Sequence, residues 1–372
     1  MRVDAFSLAT DHPADVRGLQ ALLGAGGAPA RLRAEDIVCV LGKTEGNGGR
    51  NDFTRDLAMR ALEDLLGPRL GLPREQVQDR VVFSLSGGTE GVVSPHVVVF
   101  ARSGTWSKEP GPKRLVVGTA YTRAFAPHEI GRMPQIEETA RAVAELAREL
   151  RLDPADVHLV QMKGAIPRAS HDEAEAARRA GRPLRNDMVH SRAASALGVA
   201  LALGEVPREA LSDDVVCADW SLYSGVASCS AKPGLPRTEI LMFGNSAYAT
   251  GDLVIDHTVL QDILDVGAVH TLLARLGLPV QGGQLTPEQR ARVVGVFAKS
   301  EADPRGTIRG NRHTMLTDDD IDDTRHSRAA LAAVLAGVVG HTRIYVSTRA
   351  EHHGPLGGGP LAIIARTDER AA

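Results

Sequence analysis

Cysteine is scarce in this chain: its 372 residues contain three, Cys39, Cys217 and Cys229. An odd number without C-x-x-C spacing argues against a disulfide framework and a structural zinc cluster. Long apolar runs are missing too. No stretch approaches the ~20 residues of a bilayer-spanning helix, and the opening MRVDAFSLATDHPAD has no signal-peptide apolar core. Charge of one sign is also lacking. With 43 Lys and Arg against 46 Asp and Glu, the formal net charge of -3 exerts no general pull on nucleic acid or anionic membrane. The one run of like charge, Asp318 to Asp323, is broken by Ile321 and reads as a solvated helix start. A soluble cytoplasmic protein, with no nucleic-acid or membrane partner, is the expectation.

Several catalytic signatures are absent as well. There is no G-x-S-x-G elbow, no G-x-x-x-x-G-K-[ST] phosphate loop and no H-E-x-x-H. The glycine-rich LLGAGGAPAR (22–31) stands before the first apolar strand pattern, where a nucleotide loop would follow one. His352 and His353 are adjacent and would face opposite ways on a strand, while His313, His326 and His341 are scattered.

What the chain does contain is a pattern stated three times. IVCVLGKT ends near Lys43, VHLVQMKG near Lys163 and VVGVFAKS near Lys299, each a short apolar run that reads as a buried strand delivering a lysine. A hydroxyl–arginine pair follows each: Thr54-Arg55, Ser191-Arg192 and Ser327-Arg328, each opening a helical pattern with the hydroxyl suited to an N-cap. The lysine-to-arginine spacing is 29 residues in the second and third copies and 12 in the first. Each copy then offers a strand carrying a serine, namely Ser86 in VVFSLSGG, Ser230 in LYSGVASCSA and Ser347 in RIYVSTRA, and a last apolar strand. Ser86 and Ser347 are followed four residues on by Glu90 and Glu351, whereas Gly234 stands at that place after Ser230. Polar linkers fall at 103–114 and 246–252. An α+β fold follows, of three similar units over 1–104, 112–249 and 254–372, each a sheet with packed helices. Packed around a pseudo-threefold axis, they would bring their lysines, arginines and serines to one central active site.

Those residue types suit amide hydrolysis. A serine needs a base, and a lysine is one if burial or nearby cations lower its pKa toward neutrality. Arginine beside it would do so and would also grip a carbonyl oxygen. Backbone amides of the Ser86-Gly87-Gly88 turn could stabilise an oxyanion.

The blocks GKTEGNGGRNDFTR (42–55), LSGGTEGVVSPH (85–96), SRAASALGVALA (191–202), NRHTMLTDDDIDDTRHSRA (311–329) and AEHHGPLGGGP (350–360) resemble those of the cyanuric acid hydrolase and barbiturase family. The resemblance spans essentially the whole chain and lies closer to the cyanuric acid hydrolases. It implies ring-opening hydrolysis of a small cyclic imide, with Ser230 as nucleophile and Lys163 as its base. Arg55, Arg192 and Arg328 match the family's substrate-binding arginines. Lys43 with Ser86 and Lys299 with Ser347 match its other two dyads; Gly87, Ala231 and Thr348, next to the three serines, join the substrate-binding set. No catalytic cofactor is implied. A structural Mg²⁺ or Ca²⁺ is, at positions matching Glu301, Ala350, His353, Gly354, Pro355 and Gly358, as is a homotetramer. Two departures stand out. Ala231-Lys232-Pro233-Gly234 replaces a small turn ending in glutamate, and Thr348 stands where glycine is usual. Cyanuric acid is the preferred substrate, barbituric acid the runner-up, and a non-catalytic binding protein on the same scaffold the rival of another class.

Overall fold

The computed structural model describes residues 1–27, 29–49 and 51–368. Besides a two-residue pair at Thr307–Ile308 and Asn311–Arg312, its strands are β1 (Arg2–Ala9), β2 (Ile37–Thr44), β3 (Val82–Gly87), β4 (His96–Ser103), β5 (Arg114–Tyr121), β6 (Val157–Ile166), β7 (Ala227–Pro233), β8 (Glu239–Ser246), β9 (Leu253–Leu260), β10 (Val293–Ser300), β11 (Tyr345–Thr348) and β12 (Gly359–Arg366). They form three four-stranded sheets, ordered β1-β4-β2-β3, β5-β8-β6-β7 and β9-β12-β10-β11. In each, the lysine strand lies parallel to the serine strand and antiparallel to the last strand.

The lysine strands are continuous apolar runs because both their faces are covered; every residue of β10 is buried. One face of all three sheets meets in a shared core. Phe100, Phe243 and Phe297, one from each sheet, meet there with ring centroids 4.9 to 6.4 Å apart. The other faces are covered by helices, among them α1 (Phe53–Leu70), α2 (Met188–Ala202) and α3 (Asp323–Val339), in separate apolar clusters. The polar stretches 103–114 and 246–252 lie between β4 and β5 and between β8 and β9. Among the described residues no helix is long and apolar enough to cross a membrane.

Two expectations need correction. Each sheet opens with a strand (β1, β5 or β9) that the triplicated pattern did not include, because polar residues interrupt its apolar period; β1 and β9 are half-exposed along much of their length. The glycine-rich 22–31 stretch therefore does follow a strand, β1, but only after the helix Arg17–Leu22, so it is no strand-to-helix loop; Ala28 within it lies outside the described residues. Nor do the hydroxyls cap the helices. Asp52, Asp187 and Asp322 do, each side chain accepting a first-turn N–H at 2.9 to 3.0 Å. The hydroxyls fasten each helix to its lysine strand instead: Thr54 to the Thr44 hydroxyl at 2.9 Å, Ser191 to the Ala165 carbonyl at 2.7 Å, and Ser327 to the Ser300 hydroxyl at 3.3 Å.

Candidate active site

Strand register puts each lysine opposite its serine: Lys43 opposite Ser86, Lys163 opposite Ser230 and Lys299 opposite Ser347. The ammonium groups then reach into a neighbouring sheet. Lys43 donates to the Val346 carbonyl at 2.9 Å, Lys163 to Leu85 at 3.0 Å and Lys299 to Cys229 at 2.6 Å. In every case the acceptor is the residue just before a serine, and the three contacts close a ring.

The arginines make a second ring, and it is broken. Arg192 grips Glu351 with two donors at 2.7 and 2.8 Å. Arg328 donates to Glu90 at 2.5 Å and to the Thr348 hydroxyl at 3.3 Å. Gly88 permits the latter arrangement: its φ of +103° is left-handed, and a β-carbon there would collide with the Arg328 guanidinium. The carboxylate that would complete the pattern on Arg55 is missing, since Gly234 occupies its place. Among the described residues, Arg55 pairs with Asp52, the N-cap of its own helix, at 3.4 Å and donates to the Gly49 carbonyl at 2.6 Å. Glu239 lines the same cavity as Arg55. It stands opposite Lys163 in the β6–β8 register, and its carboxyl pKa is raised by burial.

Arg192 and Glu351 are both buried, at 5% and 7% exposure. Glu351→Gln would strand a buried guanidinium, so a loss of about 3–5 kcal/mol in unfolding free energy is expected in urea titration. A loss under about 1 kcal/mol would show that solvent reaches Arg192.

One cavity of about 810 Å³, in the range of small-molecule sites, is lined by Arg55, Ser86, Gly87, Lys163, Arg192, Ser230, Ala231, Arg328, Ser347 and Thr348. Lys43 and Lys299 do not line it; they are buried behind their serines, at 1% and 0% exposure. Lys43 donates to Ser86 at 3.2 Å and Lys299 to Ser347 at 3.4 Å. Lys163 alone among the three faces the cavity. Among the described residues it makes no hydrogen bond to Ser230, whose hydroxyl points to the Met162 carbonyl at 3.4 Å.

The three ammonium groups are all pushed below the ordinary lysine pKa, first by burial and then by an arginine from a helix packed on a neighbouring sheet. Lys163 falls to about 7, with Arg55 as its largest charged neighbour. Lys299 falls to about 8 beside Arg192. Lys43 lies well below its ordinary value beside Arg328. The expected oxyanion role of the Ser-Gly-Gly turn is limited, because the Gly88 N–H is taken by the Thr44 carbonyl at 2.9 Å.

Away from the cavity, the Glu301 carboxylate accepts the Ala350 and Gly357 N–H groups, each at 3.4 Å. Burial and the nearby Glu351 raise its pKa, and among the described residues it has no cationic side chain within ion-pair distance. A partly buried carboxylate beside the 350–358 turn fits a hard divalent ion. The His353 imidazole is occupied by the Cys229 N–H at 2.9 Å and the Glu351 carbonyl at 2.7 Å, so only its backbone carbonyl could join such a set.

The chain belongs to the ring-opening amidohydrolases, whose family profile matches residues 4–366. Its relatives include a cyanuric acid amidohydrolase of Enterobacter cloacae, 47% identical over 99% of this chain and 100% of that one. Another is a cyclic amide hydrolase of Azorhizobium caulinodans, 43% identical over 98% and 100%. A solved cyanuric acid hydrolase superposes with a TM-score of 0.88 at 46% identity, covering 98% of this chain and 99% of its own.

Proposed function

We propose that this enzyme opens the ring of cyanuric acid by serine–lysine catalysis at Ser230 and Lys163. The observation that carries the reading is that Lys163, alone of the three lysines, lines the cavity, lies opposite Ser230 and has a pKa near 7. A substantial share of it is therefore the neutral amine a base must be. Relatives named cyanuric acid amidohydrolase, 46–47% identical over nearly full length, support the substrate.

In the proposed sequence the Lys163 amine takes the Ser230 hydroxyl proton as the serine oxygen attacks a ring carbonyl carbon. The ring C–N bond breaks, and its nitrogen takes the proton back from Lys163. An acyl-enzyme on Ser230 remains. Water, deprotonated by Lys163, attacks that acyl carbon; the bond to the Ser230 oxygen breaks, that oxygen takes the proton back from Lys163, and 1-carboxybiuret leaves and loses CO₂ to give biuret. Arg55, Arg192 and Arg328 would each hold a ring oxygen, with Ser86 and Ser347 orienting the ring. The closed ring of lysine-to-carbonyl contacts and the matching order of the three sheets support three repeats of one unit about a pseudo-threefold axis through the cavity, matching a substrate with three like carbonyls. The test is turnover of cyanuric and barbituric acid side by side, followed by loss of ring absorbance. Faster barbituric acid turnover would transfer the substrate assignment; no turnover and no burst with either would favour a binding protein.

A structural Mg²⁺ or Ca²⁺ held by Glu301 and the 350–358 carbonyls belongs to the same proposal; it would neutralise a partly buried carboxylate and fix the turn that carries Glu351. Chelation should lower Tm by several degrees while the initial rate stays within about twofold. Immediate loss of rate at unchanged Tm would point to a metal at the chemistry and overturn the lysine base.

A further inference from the structure

Away from the cavity, two imidazoles face each other. His158, near the start of β6, and His257, in β9, bring their Nδ1 atoms to 2.8 Å. Asp256 Oδ1 lies 3.6 Å from the His158 Nδ1. These three ligand atoms lie within 4.8 Å of one another, the one such grouping among the described residues. The Asp256 carboxylate is fixed from behind, its Oδ2 accepting from Arg275 Nε at 2.7 Å. Its Oδ1 also accepts the His257 backbone N–H at 2.7 Å.

The backbone is bent to make this meeting. The β6–β8 ladder shifts register between Val157 and Leu159, so His158 is the extra residue of a bulge, a device that re-aims a side chain. The corresponding shifts in the other two sheets lie at Val38, between Ile37 and Cys39, and at Val294, between Val293 and Gly295. Two sheets thus carry valine at the bulge, and the one facing β9 carries histidine. Both side chains are only slightly exposed, and burial holds both imidazoles below their ordinary pKa, His257 at about 4. At neutral pH their nitrogens keep lone pairs to offer.

We propose that His158, His257 and Asp256 form a binding site for a borderline divalent transition ion of the Zn²⁺ kind, joining β6 of the second sheet to β9 of the third. Two imidazole nitrogens and one carboxylate oxygen suit such an ion better than Mg²⁺ or Ca²⁺. Zinc bonds of about 2.0–2.1 Å in a tetrahedron hold ligand atoms roughly 3.3 Å apart. The His158–Asp256 separation is already close to that, and the two nitrogens need open by only about half an ångström. Water would complete the shell from the solvent side. The ion would act as a staple between sheets, with no part in ring opening.

The test uses the full-length, metal-stripped protein with Co²⁺ as a spectroscopic probe and Zn²⁺ in equilibrium dialysis. His158→Val installs the residue the other two sheets carry at the bulge. His257→Ser installs the residue β1 carries at the matching register, Ser7. The wild type should bind one more equivalent of Zn²⁺ than either variant and show a Co²⁺ visible band that both lack. Its Zn²⁺-dependent rise in Tm should vanish in both while kcat is unchanged. Equal stoichiometry and equal Tm response in wild type and variants would overturn the site and leave the pair as an imidazole–imidazole hydrogen bond.

Discussion

Ser230→Ala should reduce kcat by at least about 10⁴-fold, the scale seen when a nucleophile is removed from a unit that acts together. Lys163→Ala should do nearly the same. Both variants should still bind cyanuric acid, because the arginines and the other two serines remain. Ser86→Ala and Ser347→Ala should keep measurable turnover with weakened binding, since their lysines are buried behind them and cannot exchange protons freely with the cavity. Mass spectrometry of enzyme quenched during turnover decides the matter. The expected adduct is on Ser230; an adduct on Ser86 or Ser347 alone would move the nucleophile to another sheet.

The second large effect lies in pH dependence. Lys163 must be neutral to act as a base, and its pKa of about 7 predicts that kcat/KM rises with pH through that value and then levels. Arg55→Met removes the largest charge opposing the ammonium form, so the inflection should move up, by about one unit. The same change removes a donor to the ring, so kcat/KM at the plateau should fall by about 10–100-fold. Glu239→Gln has the opposite sign: the carboxylate opposite Lys163 favours the ammonium, so its loss should move the inflection down. Arg192 and Arg328 are each tied to a glutamate, and neither is the main charge on Lys163. Shifts of the same sign in the Arg55 and Glu239 variants would show that the inflection belongs to another group.

The lysine and serine strands were legible in sequence because a largely buried strand is a continuous apolar run; Lys43 and Lys299 sit next to the last residue of theirs, whereas β6 continues three residues past Lys163 to Ile166. The family followed from long blocks around the same residues. The rest was hidden for identifiable reasons. Asp52, Asp187 and Asp322 start their helices two, four and five residues before the hydroxyl of each hydroxyl–arginine pair, and only packing shows that the hydroxyl is an internal fastener. The Arg192–Glu351 and Arg328–Glu90 pairs join residues 159 and 238 positions apart, beyond any local pattern, although the recurrent Ser-x-x-x-Glu was a trace of them. Glu239 was missed because it opens a strand read only as apolar. His158 and His257 are 99 residues apart on different sheets, and the bulge that joins them leaves no local mark.

The ring of lysine-to-carbonyl contacts means that no sheet finishes its own part of the site: each lysine is held by the backbone of another. A separate peptide carrying one sheet would have to find two partners before its lysine was seated. Joined in one chain, the sheets are always present in equal number, and a change in one need not be repeated in the others. That is why Gly234 can stand where Glu90 and Glu351 stand elsewhere, leaving two arginines tethered to a glutamate of another unit and Arg55 held within its own, by Asp52 and Gly49, beside the lysine that faces the cavity. Covalent continuity thus lets the corner at Arg55 and Lys163 differ while the Arg192–Glu351 and Arg328–Glu90 pairs hold the frame.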